Sequence, residues 1–197
     1  MIPRTMKAVL LKGHGGLDQF EYRDDVPVPT PAAGEVLVKV GAAAVNNTDI
    51  HTRIGWYSKS VATATADAVV QTANEATDGG WVGNPFVFPR IQGTDVCGRI
   101  VAVGAGVAEA RIGERVLVDP VLRPAAGSLE NVGYVGLERD GGFAGFVAVR
   151  APAHHALHHV EHRAAALAGL TAALLLLLFG GFEDLFNDVR LRGDRHA

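Results

Sequence analysis

Across residues 6–149 the apolar side chains fall in short runs with a period of two, and glycine or proline closes each run. That pattern suits half-buried β-strands and does not suit helices, whose apolar residues recur every three or four positions. "GEVLVKVGAAAV" carries Val36, Val38 and Val40 on alternate positions and reads as a half-buried strand. "KAVLLK", "GRIVAVGAGV", "IGERVLVDP" and "GGFAGFVAVRAP" read as further strands, with a turn at Gly104, Ala105 and Gly106. Pro27, Pro29 and Pro31 hold "FEYRDDVPVP" extended and keep it out of a sheet centre, because proline has no N–H to give a ladder. Short strands at turn-rich spacing predict a mainly β fold, a small antiparallel, partly open barrel or sandwich. One segment breaks the pattern. Residues 58–80 are Ala-rich, with Val69, Val70 and Ala73 at helical spacing, and predict a short inserted surface helix ended by Gly79 and Gly80.

Composition narrows the class. The chain has 197 residues, 48% of them hydrophobic, enough for a sizeable core. Its net charge of −3 gives no reason to expect nucleic acid or an anionic membrane as partner. The single cysteine, Cys97, excludes a disulfide framework and a cysteine-rich zinc module, and fits a reducing, cytoplasmic setting. Its expected role is that of a small buried hydrophobe. The N-terminus "MIPRTMKAVLLKGHGG" has no long apolar stretch of the signal-peptide kind.

The character changes after Arg150. Six of the eight histidines lie there: His154, His155, His158, His159, His162 and His196. If this segment starts as a helix, His154/His158, His155/His159 and His158/His162 stand one turn apart. Such a pair can grip a metal ion but leaves its coordination incomplete. Residues 164–182 are almost wholly apolar, close to the roughly 20 residues a membrane span needs. A helix packed on the barrel is the favoured expectation, and a membrane-tethered barrel is the weaker alternative.

The densest chemistry is in "AVNNTDIHTRIGWY", residues 44–57. Asn46, Asn47, Thr48, Asp49 and His51 follow a strand directly. One reading makes them a site; the other makes them turn caps, with short polar side chains satisfying backbone N–H groups. Asp49 is expected to be structural and to pair with Arg53. Trp56 and Tyr57 either stack on a flat substrate or pack against the inserted helix.

"MKAVLL", "GEVLVKVGAAAVNNTDIHTRIGWY", "FPRIQGTDVCGRIVAVGAGV", "RIGERVLV" and "GGFAGFVAV" stand in the order seen in medium-chain dehydrogenases/reductases. Over residues 6–152 the chain resembles that family's GroES-like N-terminal domain. Val45, Asn46, Asp49, Arg53 and Gly55 resemble the pattern of its zinc-independent quinone oxidoreductases. The resemblance implies hydride transfer from NADPH to a quinone or conjugated carbonyl (an enone). Asn46 and Thr48 would then lie against the nicotinamide. Asn46, Trp56, Tyr57 and Asp95 would line the substrate. Thr48 and His51 stand where zinc-dependent members pass a proton to solvent, a task suited to imidazole because it titrates near neutrality.

Two departures qualify this. Zinc-dependent members carry Cys where this chain has Asn46, and His-Glu where it has Thr94 and Asp95. Amide and hydroxyl are poor zinc ligands, so no zinc is expected. The family's second domain also opens with a glycine-rich phosphate loop between a strand and a helix, and none of the 197 residues supplies one. The expected organisation is a GroES-like domain over residues 1–152 and a divergent helical tail over 153–197, from a reading frame truncated or shifted before the nucleotide domain. Such a chain is expected to be inactive alone, its oligomeric state open. The alternative is a catalytically silent barrel, acting as a binding module or surviving as a remnant.

Overall fold

The computed structural model describes residues 1–58, 79, 85–122 and 132–151, and the backbone of 157–159. The architecture is mainly β. In chain order come β1 (Thr5–Leu11), β2 (Phe20–Pro27), β3 (Glu35–Ala44), a short helix α1 (Asn47–Arg53), β4 (Arg90–Ile91) and β5 (Asp95–Val103). Then follow β6 (Arg115–Val118), β7 (Val121–Leu122), β8 (Gly133–Tyr134), β9 (Phe146–Arg150) and β10 (Leu157–His159). They form a three-stranded sheet β2-β1-β4, a five-stranded sheet β10-β6-β5-β3-β9 and a two-stranded ribbon β7-β8. The strand-to-strand pairing in all three is antiparallel. A bridge between Ala8 and Ala144 joins β1 to the approach of β9.

The proline argument holds for β2, an edge strand paired only with β1. Its exposed charges, Glu21, Arg23, Asp24 and Asp25, also protect that edge from pairing with another chain. The alternation argument is corrected at β3. Val36 and Val38 are buried, but so are Glu35 and Leu37 between and beside them. β3 sits between β5 and β9, and over Glu35–Val38 both of its faces are covered. Val36 and Val38 join a valine-rich core with Val96, Ile100, Val116, Val118, Val135, Val147 and Val149. Leu37 faces a second core with Met6, Ala8, Ile91, Ala144, Phe146 and Ala148. A strand buried on both sides loses the polar half of its pattern.

The turn expected at Gly104–Gly106 is present. Gly104 N–H donates to the Glu35 carbonyl at 2.8 Å. A Cβ at Gly104 would stand 1.8 Å from the Ala32 carbonyl oxygen, so only glycine fits. At the start of β3, Arg139 clamps both carboxylate oxygens of Glu35, at 2.6 and 2.9 Å. The Ala32 N–H donates to the same carboxylate at 3.0 Å. The Arg139 guanidinium, against the cost of burial, holds the Glu35 carboxyl below its ordinary range.

The tail is corrected at one place. The helical start expected after Arg150 is extended backbone at Leu157–His159, which pairs with β6 through Leu157–Val118, His158–Leu117 and His159–Val116. The i,i+4 spacing of a helical metal clamp does not apply to backbone that is extended at Leu157–His159. The inserted helix over residues 59–78, the other tail histidines and the apolar run over 164–182 lie outside the described residues. Among the described residues, no helix is long and apolar enough to cross a membrane.

Candidate active site

The polar stretch after β3 is a helix start rather than an open loop. Asn46 is the N-cap of α1, and its side-chain oxygen accepts from the Thr48 N–H at 3.1 Å. Asp49 reaches back to accept from the Asn46 N–H at 2.9 Å, which completes a capping box. The sequence order Asn-x-x-Asp therefore specifies the local fold, since the first N–H groups of a helix need partners from outside its own ladder.

Asp49 also ties α1 to a distant part of the chain. Its other carboxylate oxygen accepts from the Gly93 N–H at 3.0 Å, and its backbone carbonyl accepts from Gln92 Nε2 at 3.0 Å. Asp49 is only 3% exposed. Burial pushes its carboxyl up, while the N–H groups of Asn46, Gly93 and Thr94 pull it back and the nearby Asp95 pushes it up further. Gly93 has φ +101°, and a Cβ there would stand 2.7 Å from the Phe143 nitrogen. A side chain is excluded where Asp49, Gln92 and the Gly141–Gly142 turn converge.

Asn46 turns its amide nitrogen to Asp95, with Nδ2 donating to Oδ2 at 3.0 Å. These two side-chain bonds leave one N–H and one carbonyl lone pair for a ligand. Thr94, beside Asp95, is buried, and its hydroxyl has no hydrogen-bond partner among the described residues. Asn46, Thr94 and Asp95 are thus neighbours, but as donor set they offer one carboxylate, one amide and one hydroxyl. Among the described residues, no group of three or more His, Cys, Asp or Glu is placed to hold a metal ion.

The aromatic residues form the adjoining wall. The His51 ring stacks on Trp56, with centroids 5.4 Å apart and planes at 27°, and meets Tyr57 edge-on at 5.9 Å. All three are half-buried. Burial pushes the Tyr57 phenol up, and a side-chain hydrogen bond with Thr48 pulls it back. The Thr48 hydroxyl is therefore partnered with Tyr57. The structure brings together all six sequence-predicted residues in two neighbouring groups: Asn46 with Asp95, and Thr48, His51, Trp56 and Tyr57 around the helix.

Two expectations change. Asp49 is structural, but its carboxylate serves backbone N–H groups, while the Arg53 guanidinium donates to the Gly15 carbonyl. Cys97 is half-buried on β5, not fully buried, opposite Ala42 and Leu117. The residues not anticipated are Gln92 and Tyr134. Gln92 is fully buried and braces Asp49; its place in "RIQGTD", directly before the Gly93 turn, was the available hint. Tyr134 packs with Tyr57 against Leu11, Phe86 and Leu137, and nothing local in "NVGYVGL" marks it.

Strand β3 thus runs directly into the capped helix α1, which Asp49 fastens to the Gly93 turn. Over residues 32–161 the chain matches the alcohol dehydrogenase GroES-like domain, and it belongs to that family. It is 33% identical over 156 residues to the starvation-sensing protein RspB of Escherichia coli (strain K12), covering 74% of this chain and 37% of that protein. It is 31% identical over 115 residues to the chloroplastic NADPH-dependent alkenal/one oxidoreductase of Arabidopsis thaliana, covering 58% of this chain and 24% of that one. Among solved structures, "Crystal structure of putative alcohol dehydrogenase from Sinorhizobium meliloti 1021" shares 46% identity at a TM-score of 0.65, over 81% of this chain and 41% of that chain. Quinone oxidoreductases and alcohol dehydrogenases are also among the relatives, so the family's chemistry is oxidoreduction. The chain spans about a third of the length of curated relatives that it matches.

Proposed function

We propose that the His51–Trp56–Tyr57 wall is the substrate side of a zinc-independent, NADPH-dependent reductase of quinones or conjugated carbonyls. The observation that carries this is the stack itself. Three half-buried rings lie together, the Tyr57 phenol meets Thr48, and the Thr48 N–H is bonded to the Asn46 side chain, so a flat, carbonyl-bearing molecule finds both a π-surface and hydrogen-bond donors.

The donor chemistry supports the zinc-free reading. Asn46 has committed an N–H to Asp95, and Thr94 offers a hydroxyl where a thiolate, imidazole or carboxylate is needed. NADPH, when bound, supplies the hydride. The remaining N–H and lone pair of Asn46 suit a nicotinamide carboxamide, and Thr48 stands one turn from His51 on the same helix. Tyr57 stays a neutral phenol and donor, because burial disfavours its phenolate. We further propose that these 197 residues do not turn over by themselves, because they hold no strand–glycine–helix phosphate cradle.

The test is a titration of the purified chain, with Trp81 replaced by Phe so that Trp56 is the only indole. A soluble benzoquinone or cyclohexenone is expected to quench Trp56 saturably, and His51→Ala to weaken that quenching. NADPH is expected neither to bind nor to be oxidised. Unsaturable quenching identical in the His51 variant would refute the substrate wall. NADPH turnover by the chain would refute only the claim of inactivity.

A further inference from the structure

A row of cations crosses the outer part of the five-stranded sheet. The register places Lys39 opposite Arg99 and Arg99 opposite Arg115, on three adjacent strands, β3, β5 and β6. Directly opposed residues of an antiparallel pair share a face, so the three side chains emerge on one side. All three are exposed. None makes an ion pair among the described residues. Arg99 is oriented by one bond, Nη1 to the Gly113 carbonyl at 2.9 Å, which leaves its other N–H donors available. The nearby Arg111 and Glu114 neutralise each other. Two residues along β6 from Arg115, Leu117 adds an exposed apolar side chain on the same face, opposite Cys97.

Like charges set directly opposite one another destabilise a sheet. An anion lying along the row would relieve that repulsion. The chain as a whole carries −3, so without these three positive charges the remainder carries −6. A broad polyanion, such as a lipid bilayer surface or a nucleic-acid duplex, would meet that acidic remainder as well as the row. A short acidic segment meets the row alone. Neighbouring strands lie about 4.8 Å apart, so the row spans about 10 Å, the reach of three extended residues. The geometry points to a docking face for an extended acidic segment of a partner protein, read by Lys39, Arg99 and Arg115, with Leu117 taking an adjoining apolar side chain. This face is separate from the aromatic wall and does not rest on the reductase reading.

The experiment uses the full chain and a fluorescein-labelled peptide of alternating Glu and Leu, followed by anisotropy. A Gln/Leu peptide, phosphatidylserine vesicles and duplex DNA serve as comparison ligands. The Glu peptide is expected to bind best, and to bind about tenfold more weakly when salt is raised from about 0.02 M to about 0.3 M. The triple variant K39Q/R99Q/R115Q is expected to lose about tenfold or more in affinity at low salt while melting at the same temperature as the parent or higher. Arg4→Gln is expected to change nothing. Equal affinity in the triple variant, equal loss in Arg4→Gln, no preference over the Gln/Leu peptide, or tighter binding to vesicles or DNA would each overturn the proposal. So would a salt-sensitive dimer that the triple variant abolishes, since the occupant would then be a second copy of this chain.

Discussion

Replacing Asp49 by alanine removes the acceptor for two backbone N–H groups at once. The Gly93 N–H lies in a buried segment, and an abandoned buried donor costs about 1–3 kcal/mol. The Asn46 N–H is partly buried, and losing the acidic half of a capping box costs about 0.5–1 kcal/mol more. Relief of the carboxylate's own burial offsets part of this, so a net loss of about 2–3 kcal/mol is expected. Urea unfolding of the chain, read by tryptophan fluorescence, should show a midpoint lower by about 1 M at an unchanged slope. Asp49→Asn keeps one acceptor oxygen but turns an NH₂ toward the second donor, so it should fall between parent and alanine. The pH dependence adds a second check. Burial raises the Asp49 carboxyl above its ordinary 3.8 in the folded state, so the folded chain holds that proton more tightly than the unfolded one. Its contribution to stability is then fully present below 3.8 and declines as pH rises through the folded value. The advantage of the parent over Asp49→Asn should accordingly shrink as pH rises through that window. An alanine variant within about 0.5 kcal/mol of the parent would refute the claim that Asp49 fastens α1 to the Gly93 turn.

Glu35→Gln should show the opposite pH sense. Arg139 lowers the Glu35 carboxyl below 4.5, so its contribution is present above 4.5 and lost as pH falls through the folded value. The variant should lose about 1–3 kcal/mol near neutrality and lack that part of the acid loss, which a pH series of urea midpoints will reveal. Gly104→Ala forces a Cβ against the Ala32 carbonyl and should cost about 2–3 kcal/mol in thermal or urea unfolding. Gly106→Ala has open space but φ +83°, and should cost only about 1–2 kcal/mol. Tyr57→Phe removes the phenol that bonds Thr48 but keeps the ring, so quinone quenching of Trp56 should persist while enone affinity drops a fewfold, measured by the same titration.

Most of the strand order was legible because it rests on local chemistry. Turn glycines, the prolines beside β2 and the short apolar runs that become β1, β3, β5, β6 and β9 each act within a few residues. A capping role in a turn was legible in the same way, since Asn46 and Asp49 lie three residues apart, but that the cap opens a helix shows only in the structure. The weighing of site against cap in that stretch is resolved in a way neither reading stated alone. Asn46 and Asp49 cap the helix, and the capped helix presents Thr48 and His51 to the rings of Trp56 and Tyr57. Gln92, Tyr134 and the cation row were not legible, because their partners lie tens of residues away and are brought to them by strand register.

The sequence by itself determined that the fold is mainly β, which apolar runs become β1, β3, β5, β6 and β9, and that the donor set at Asn46, Thr94 and Asp95 is poor for zinc. Each of these follows from side-chain chemistry at fixed short separations. The tertiary structure decided that the first half of β3 is covered on both faces, that Asp49 serves Gly93 rather than Arg53, that Leu157–His159 is a strand, and that Lys39, Arg99 and Arg115 line up. Those outcomes depend on which strand pairs with which and in what register, and that choice is set by burial and backbone hydrogen bonding over the whole sheet.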